Sequence, residues 1–172
     1  MKYLLLILSI SLFQGTWINF EPPNMGVRVY VPAEMDSKAI EIETDLGIVN
    51  LYSYSHQQVE DPGNIFMLNL NLYEEGTFHP DSTSLNSEFL ETTLEELLTN
   101  LKGELDYSEP FKIQKHLALK YRMKYNQNGT IAKGKMVLKN DILYIVQVFT
   151  SSEKSLNEDM ELYLNSFKML EE

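Results

Sequence analysis

The chain has 172 residues, enough for one domain with a sizeable core. Its 25 acidic against 14 basic residues give a formal net charge of −11, and such a surface repels phosphate backbones and anionic lipid, so nucleic-acid binding and docking on anionic membranes are disfavoured. It contains no cysteine, which excludes disulfides, thiolate metal sites, thiol catalysis and lipid attachment to an N-terminal Cys.

At the N-terminus, Lys2 precedes the apolar run YLLLILSISLF, which is short for a bilayer span. A basic residue followed by a short apolar core predicts a secretory signal peptide over residues 1–15, with an uncleaved anchor as the alternative. Gln14 and Gly15 are candidate ends, although Leu12 or Phe13 is large for the position three before a cut. Residues 16–172 then form a single domain, exported to the periplasm or the extracellular space, with a net charge of about −12 once Lys2 is lost.

WINFEPPN predicts a short strand that stops at Pro22 and Pro23. In MGVRVYVP, Val27, Val29 and Val31 alternate with Arg28 and Tyr30, the period of a half-buried strand, ended by Pro32. KAIEIETDLGIVNLYSY predicts a hairpin: Ile40 and Ile42 alternate with Glu41 and Glu43, TDLG turns, and Ile48 to Tyr54 return. HQQVEDPGN is a polar loop. In NIFMLNLNLY, Phe66, Leu68, Leu70 and Leu72 share one face, with Asn69 and Asn71 on the other.

After the loop EEGTFHPDSTS comes a clear helical signal. Leu85, Phe89, Leu90, Leu94, Leu97, Leu98 and Leu101 recur at three-and-four spacing, with Ser84 as cap and Gly103 as the left-handed residue past the end. Each buried leucine is worth ~1.5–3 kcal/mol before entropy is subtracted, so this helix is expected to lie on a sheet. ELDYSEP reads as a connector and FKIQKH as a short strand. LALKYRMKY alternates apolar residues with Lys120, Arg122 and Lys124, Asn128-Gly129 signals a hairpin, and TIAKGKMVL returns. After Asn140-Asp141 turns the chain, ILYIVQVFT is apolar on both faces except at Gln147, which predicts a central strand covered on both sides. A final helix is predicted from Ser155, with Glu158 completing a capping box. Leu156, Met160, Tyr163, Leu164 and Phe167 share its inner face, and Phe167 and Leu170 anchor its end in the core.

Hairpin-rich strands, a long amphipathic helix, a three-stranded meander and a closing helix resemble the PsbP-like fold. The residues that carry the resemblance are GKMVLKNDILYIVQVFT and YLNSFKML, together with the early VRVYVP. It extends over most of the chain after about residue 17 in arrangement, and over the last third in detail. The resemblance implies an α+β domain in which an antiparallel sheet of about six to eight strands is flanked by two helices, and it implies export. It transfers no catalytic residue, and the metal- and photosystem-related features of the family have no matching motif here.

The residues themselves assign no catalytic, cofactor-binding or metal-binding site. His56, His79 and His116 have no second His at helical or hairpin spacing. His56 has Glu60 and Asp61 nearby, and His79 lies in an irregular loop without a partner nucleophile. No G-x-S-x-G elbow, glycine-rich phosphate loop, dinucleotide fingerprint or calcium loop is present. Asn128-Gly129-Thr130 is formally a glycosylation sequon and reads more simply as the hairpin turn. Tyr52 with Tyr54, and Tyr121 with Tyr125, pack a sheet or else form an aromatic binding surface. Lys120, Arg122, Lys124, Lys133 and Lys135 either meet an anionic partner or alternate with acidic neighbours and blunt an edge. The expectation is an exported, non-enzymatic domain that needs no cofactor and binds a protein partner or assists assembly at the cell envelope. The alternative is a carrier of a small apolar ligand, held between the sheet and the long helix.

Overall fold

Ten segments form strands and two form helices in the computed structural model, which describes residues 17–61, 63–127, 129–155 and 157–170. The predicted signal peptide, Leu156 and Asn128 lie outside the described residues. In chain order the elements are β1 (Ile18–Phe20), β2 (Val27–Val31), β3 (Asp36–Thr44), β4 (Gly47–Gln57), β5 (Ile65–Leu72), α1 (Thr83–Leu101), β6 (Glu104–Ile113), β7 (His116–Tyr125), β8 (Thr130–Lys139), β9 (Ile142–Ser151), α2 (Glu158–Ser166) and β10 (Lys168–Met169).

Seven strands make one antiparallel sheet in the order β3-β4-β5-β9-β8-β7-β6. The predicted α+β architecture holds, and β9 is central as its two apolar faces require. Register sorts the side chains. Phe66, Leu68, Leu70, Val146, Val148 and Val137 face one way, into a core closed by α2 and by a second sheet, β1-β2-β10. Leu119, Tyr121, Met123, Met136, Leu143 and Ile145 face the other way, where Leu90 and Leu94 of α1 cover them. The covering layer on the first face is therefore part helix and part sheet, which the apolar spacing of α2 alone did not indicate.

Several boundaries differ from the sequence reading, each for a local reason. ELDYSEP is not a connector: it is the first part of β6, an edge strand that tolerates Pro110 and a register shift between Leu105 and Tyr107 because one side needs no partner. Lys102, not Gly103, takes the left-handed position after α1 (φ 51°). Gly103 sits in a crowded place instead, where a Cβ would lie 3.2 Å from the Lys124 carbonyl oxygen. Ser84 does not cap α1, which starts at Thr83, and Leu85 is exposed. Ser155 does not cap α2; Asn157 does, its side chain accepting from the Asp159 N–H at 2.8 Å. Phe167 is buried as expected, packed on Tyr144 at 6.3 Å between ring centroids. The residues after it leave the helix, and Lys168 and Met169 pair with Arg28 and Val27 of β2.

The loop before α1 is held from a distance. The Asp141 carboxylate accepts from the N–H groups of Gly76 and Phe78, both at 2.9 Å, and its carbonyl accepts from Tyr73. The Tyr73 ring then meets Phe78 and Phe89 edge to face over this end of the sheet, and the two phenylalanines pack tilted against each other.

Candidate functional site

Each group singled out in the sequence has a definite place. The histidines are apart: His56 on β4 contacts the Glu34 carbonyl at 3.2 Å, His79 sits exposed beside Asp81, and His116 begins β7. Among the described residues no three His, Asp or Glu side chains are grouped as a metal site. The tyrosines are packing groups. Tyr54 lies 5.0 Å from Phe20, Tyr125 lies 5.9 Å from Phe149, and Tyr121 is fully buried with its hydroxyl donating to Gln147 Oε1 at 2.7 Å.

The basic cluster is compensated within the chain. Lys120 pairs with Glu109 at 2.8 Å, Lys124 with Asp106 at 2.7 Å, Arg122 also with Asp106, and Lys133 with Glu161. Lys135 donates to the Leu164 carbonyl and to Asn165 Oδ1. Burial lowers the Lys135 ammonium from its ordinary value, with Glu161 opposing. Lys120, Lys133 and Lys135 line a groove of about 400 Å³ beside α2, in which each of the three already has an acceptor. That leaves little for an anionic partner to gain.

Two other surfaces are less satisfied. The first is the outer edge of the sheet at β3, which among the described residues pairs only with β4. Its pairing runs unbroken from Asp36 to Thr44, without proline or bulge. The opposite edge, β6, carries Pro110 and a register shift. Proline, bulges and charged side chains are the usual means of blunting an exposed edge; β3 has neither proline nor bulge, and its charges are Asp36, Lys38, Glu41 and Glu43. The β3–β4 hairpin also exposes Ile40 (45%), Ile42 (38%), Leu46 (45%) and Ile48 (46%). Register places Ile40 in a row with Leu51, Asn71 and Leu143, on the face that carries α1. Because α1 packs over β7 and β8, that face is left uncovered towards β3.

The second is a cavity of about 300 Å³ at the N-terminal end of α1, open to solvent. Phe78, Leu117 and Leu138 supply apolar walls, and Lys112, Lys115 and His116 supply basic ones. The sequence reading missed the two lysines; their signal is the spacing K-I-Q-K-H across the β6–β7 turn, where Gln114 takes a left-handed conformation (φ 55°).

Two layers packed on a seven-stranded antiparallel sheet, with a long helix on one side, define a PsbP-like fold. The solution structure of cyanobacterial PsbP (CyanoP) from Synechocystis sp. PCC 6803 is similar over 92% of this chain and 95% of that one, with a TM-score of 0.55 at 11% identity. A Pseudomonas aeruginosa protein of unknown function, PA94, described as a putative regulator, matches over 81% of this chain and 85% of its own, with a TM-score of 0.40 at 9% identity. No family model and no curated protein matches the sequence. The likeness to CyanoP shows the fold. Among the described residues no helix is long and apolar enough to cross a membrane.

Proposed function

We propose that this chain is an exported, non-enzymatic binding module that recruits an extended segment of another protein along the edge of β3, in an accessory or assembly role at the cell envelope. The observation that carries the reading is a nine-residue edge strand, unbroken by proline or bulge and bordered by exposed isoleucines. Unpaired N–H and C=O groups on such an edge gain partners when a strand is added, and the uncovered apolar face gains burial. Charge indicates the kind of segment. Asp36, Glu41, Glu43 and Asp45 lie on or beside the strand against the single Lys38, so the partner segment alternates apolar and basic residues. The same acidity opposes a second copy of this chain at the edge. Export rests on Lys2 and the apolar run that follows it. The carrier reading has less support, because Leu90 and Leu94 pack directly on the sheet and the cavity at the helix end is open and partly polar.

A photo-crosslinking residue at Ile40, in the full chain expressed in its own cells, tests the docking surface. One defined partner is expected, crosslinked through an apolar–basic segment and absent when the probe sits at Leu162, an exposed residue of α2. No partner, the same partner from Leu162, or a crosslink to a second copy would reject this docking mode. Fractionation and the intact mass of the native protein test export: a cytoplasmic protein retaining residues 1–15 would rule it out.

A further inference from the structure

Seven of the fourteen Lys and Arg residues have acceptors. Arg28, Lys120, Arg122, Lys124, Lys133 and Lys154 sit in ion pairs, and Lys135 binds a carbonyl. Among the described residues Lys38, Lys102, Lys112, Lys115, Lys139 and Lys168 have no such acceptor; of these Lys112 and Lys115 line one cavity together with His116, and Lys139 lies near that end of the sheet. Among the described residues no carboxylate lines the cavity there. Like charges held together without a counter-ion raise the energy of the folded chain, and an anion between them lowers it. His116 reports this field: burial first, and then Lys139 and Lys115, lower it from its ordinary value. The first turn of α1 carries no acidic side chain and Ser82 makes no side-chain cap, so the helix end adds to the positive potential instead of cancelling it.

The other half of the cavity is apolar. Phe78 belongs to the aromatic cluster over the sheet, and Leu117 and Leu138 are cross-strand partners on β7 and β8. A small inorganic ion would leave these walls wet, and a neutral apolar molecule would leave the lysines uncompensated. We propose that the cavity binds a small amphiphilic carboxylate, its apolar body against Phe78, Leu117 and Leu138 and its carboxylate between Lys112 and Lys115. The site is independent of the β3 edge.

The test is an NMR titration of the full chain with phenylpropionate, and in parallel with neutral phenylpropanol and inorganic phosphate. The expected result is a set of saturable methyl shifts at Leu117 and Leu138 with phenylpropionate, at least about tenfold weaker with either control. Replacing Lys112→Ala and Lys115→Ala together should weaken phenylpropionate about tenfold without moving the thermal midpoint, because both side chains are exposed. Absence of saturable shifts overturns the site. Equal binding of phenylpropanol, or an undiminished affinity in the double variant, removes the role of the lysines. Equal binding of phosphate removes the role of the apolar walls and so also overturns the proposal.

Discussion

Gly134 of β8 has no room for a side chain, and adding one methyl group there should disturb the core measurably. A Cβ would lie 2.6 Å from Tyr121 Oη, 2.8 Å from Tyr121 Cζ and 2.8 Å from the Val146 carbonyl oxygen. Gly134 is the cross-strand partner of both Tyr121 and Gln147, so the tyrosine ring lies across it to reach the glutamine on the next strand. Gly134→Ala therefore forces either the ring or the backbone to move. Overpacking of this kind costs ~1–3 kcal/mol. If the ring moves, the buried Tyr121–Gln147 hydrogen bond is lost as well, for another ~1–3 kcal/mol. Reduced freedom of the unfolded chain returns ~0.4–1 kcal/mol. The net loss is about 2–4 kcal/mol, a large share of the ~5–15 kcal/mol typical of a domain. Urea unfolding followed by circular dichroism reads it directly. In a Tyr121→Phe background the closest contact is gone, so the same substitution should cost about 1 kcal/mol less. A Gly134→Ala protein within about 0.5 kcal/mol of the parent, or strictly additive effects in the double variant, would refute the contact argument.

Tyr163 is fully buried against Phe66, and its hydroxyl has no partner among the described residues; Tyr163→Phe should raise stability by about 1 kcal/mol, measured as a higher thermal midpoint, and a lowered midpoint would show that the hydroxyl is bonded. Asp141→Ala removes the acceptor of two backbone N–H groups. It should cost about 2–4 kcal/mol and speed amide hydrogen exchange at Gly76 and Phe78, whereas unchanged exchange would mean the loop is held by its aromatic cluster alone. Burial, and then Lys139 and Lys115, hold His116 below its ordinary value in the folded chain, so the unfolded chain takes up its proton first as the pH falls. The parent should lose stability below about pH 6.5, levelling out beneath the folded value, and His116→Gln should flatten that part of the urea-midpoint profile; an identical profile would separate His116 from the lysines around it.

Strands that alternate cleanly were legible because burial on one face imposes a period of two, as at Val27, Val29 and Val31 or Leu119, Tyr121 and Met123. The central position of β9 was legible for the opposite reason, since both its faces are apolar. Glu104 to Pro110 were not legible as strand: Asp106, Ser108 and Pro110 disfavour a sheet, and only the single neighbour β7 makes the segment extended. Lys168 and Met169 continued an apparent helical spacing, yet a partner far away in sequence, β2, outcompetes one more helical turn. The same limit applied to the sites. The cluster from Lys120 to Lys135 was visible, but Glu161 and Asn165 reach it only through the packing of α2. The cavity near Lys112 was invisible because three separate stretches of chain surround it.

The position of β9 also bears on how the chain is made. Segments β3-β4-β5 and β6-β7-β8 are each sequential meanders, and neither shares a seam with the other. Among the described residues only β9 joins them within the sheet, pairing with β5 on one side and β8 on the other. During synthesis, the first 141 residues can therefore emerge as two partial sheets that present bare, apolar edges at β5 and β8. Such edges are the sites at which nascent chains self-associate. The last strand of the sheet acts as its keystone, and a ribosome that stops short of it releases two halves with no strand pairing between them.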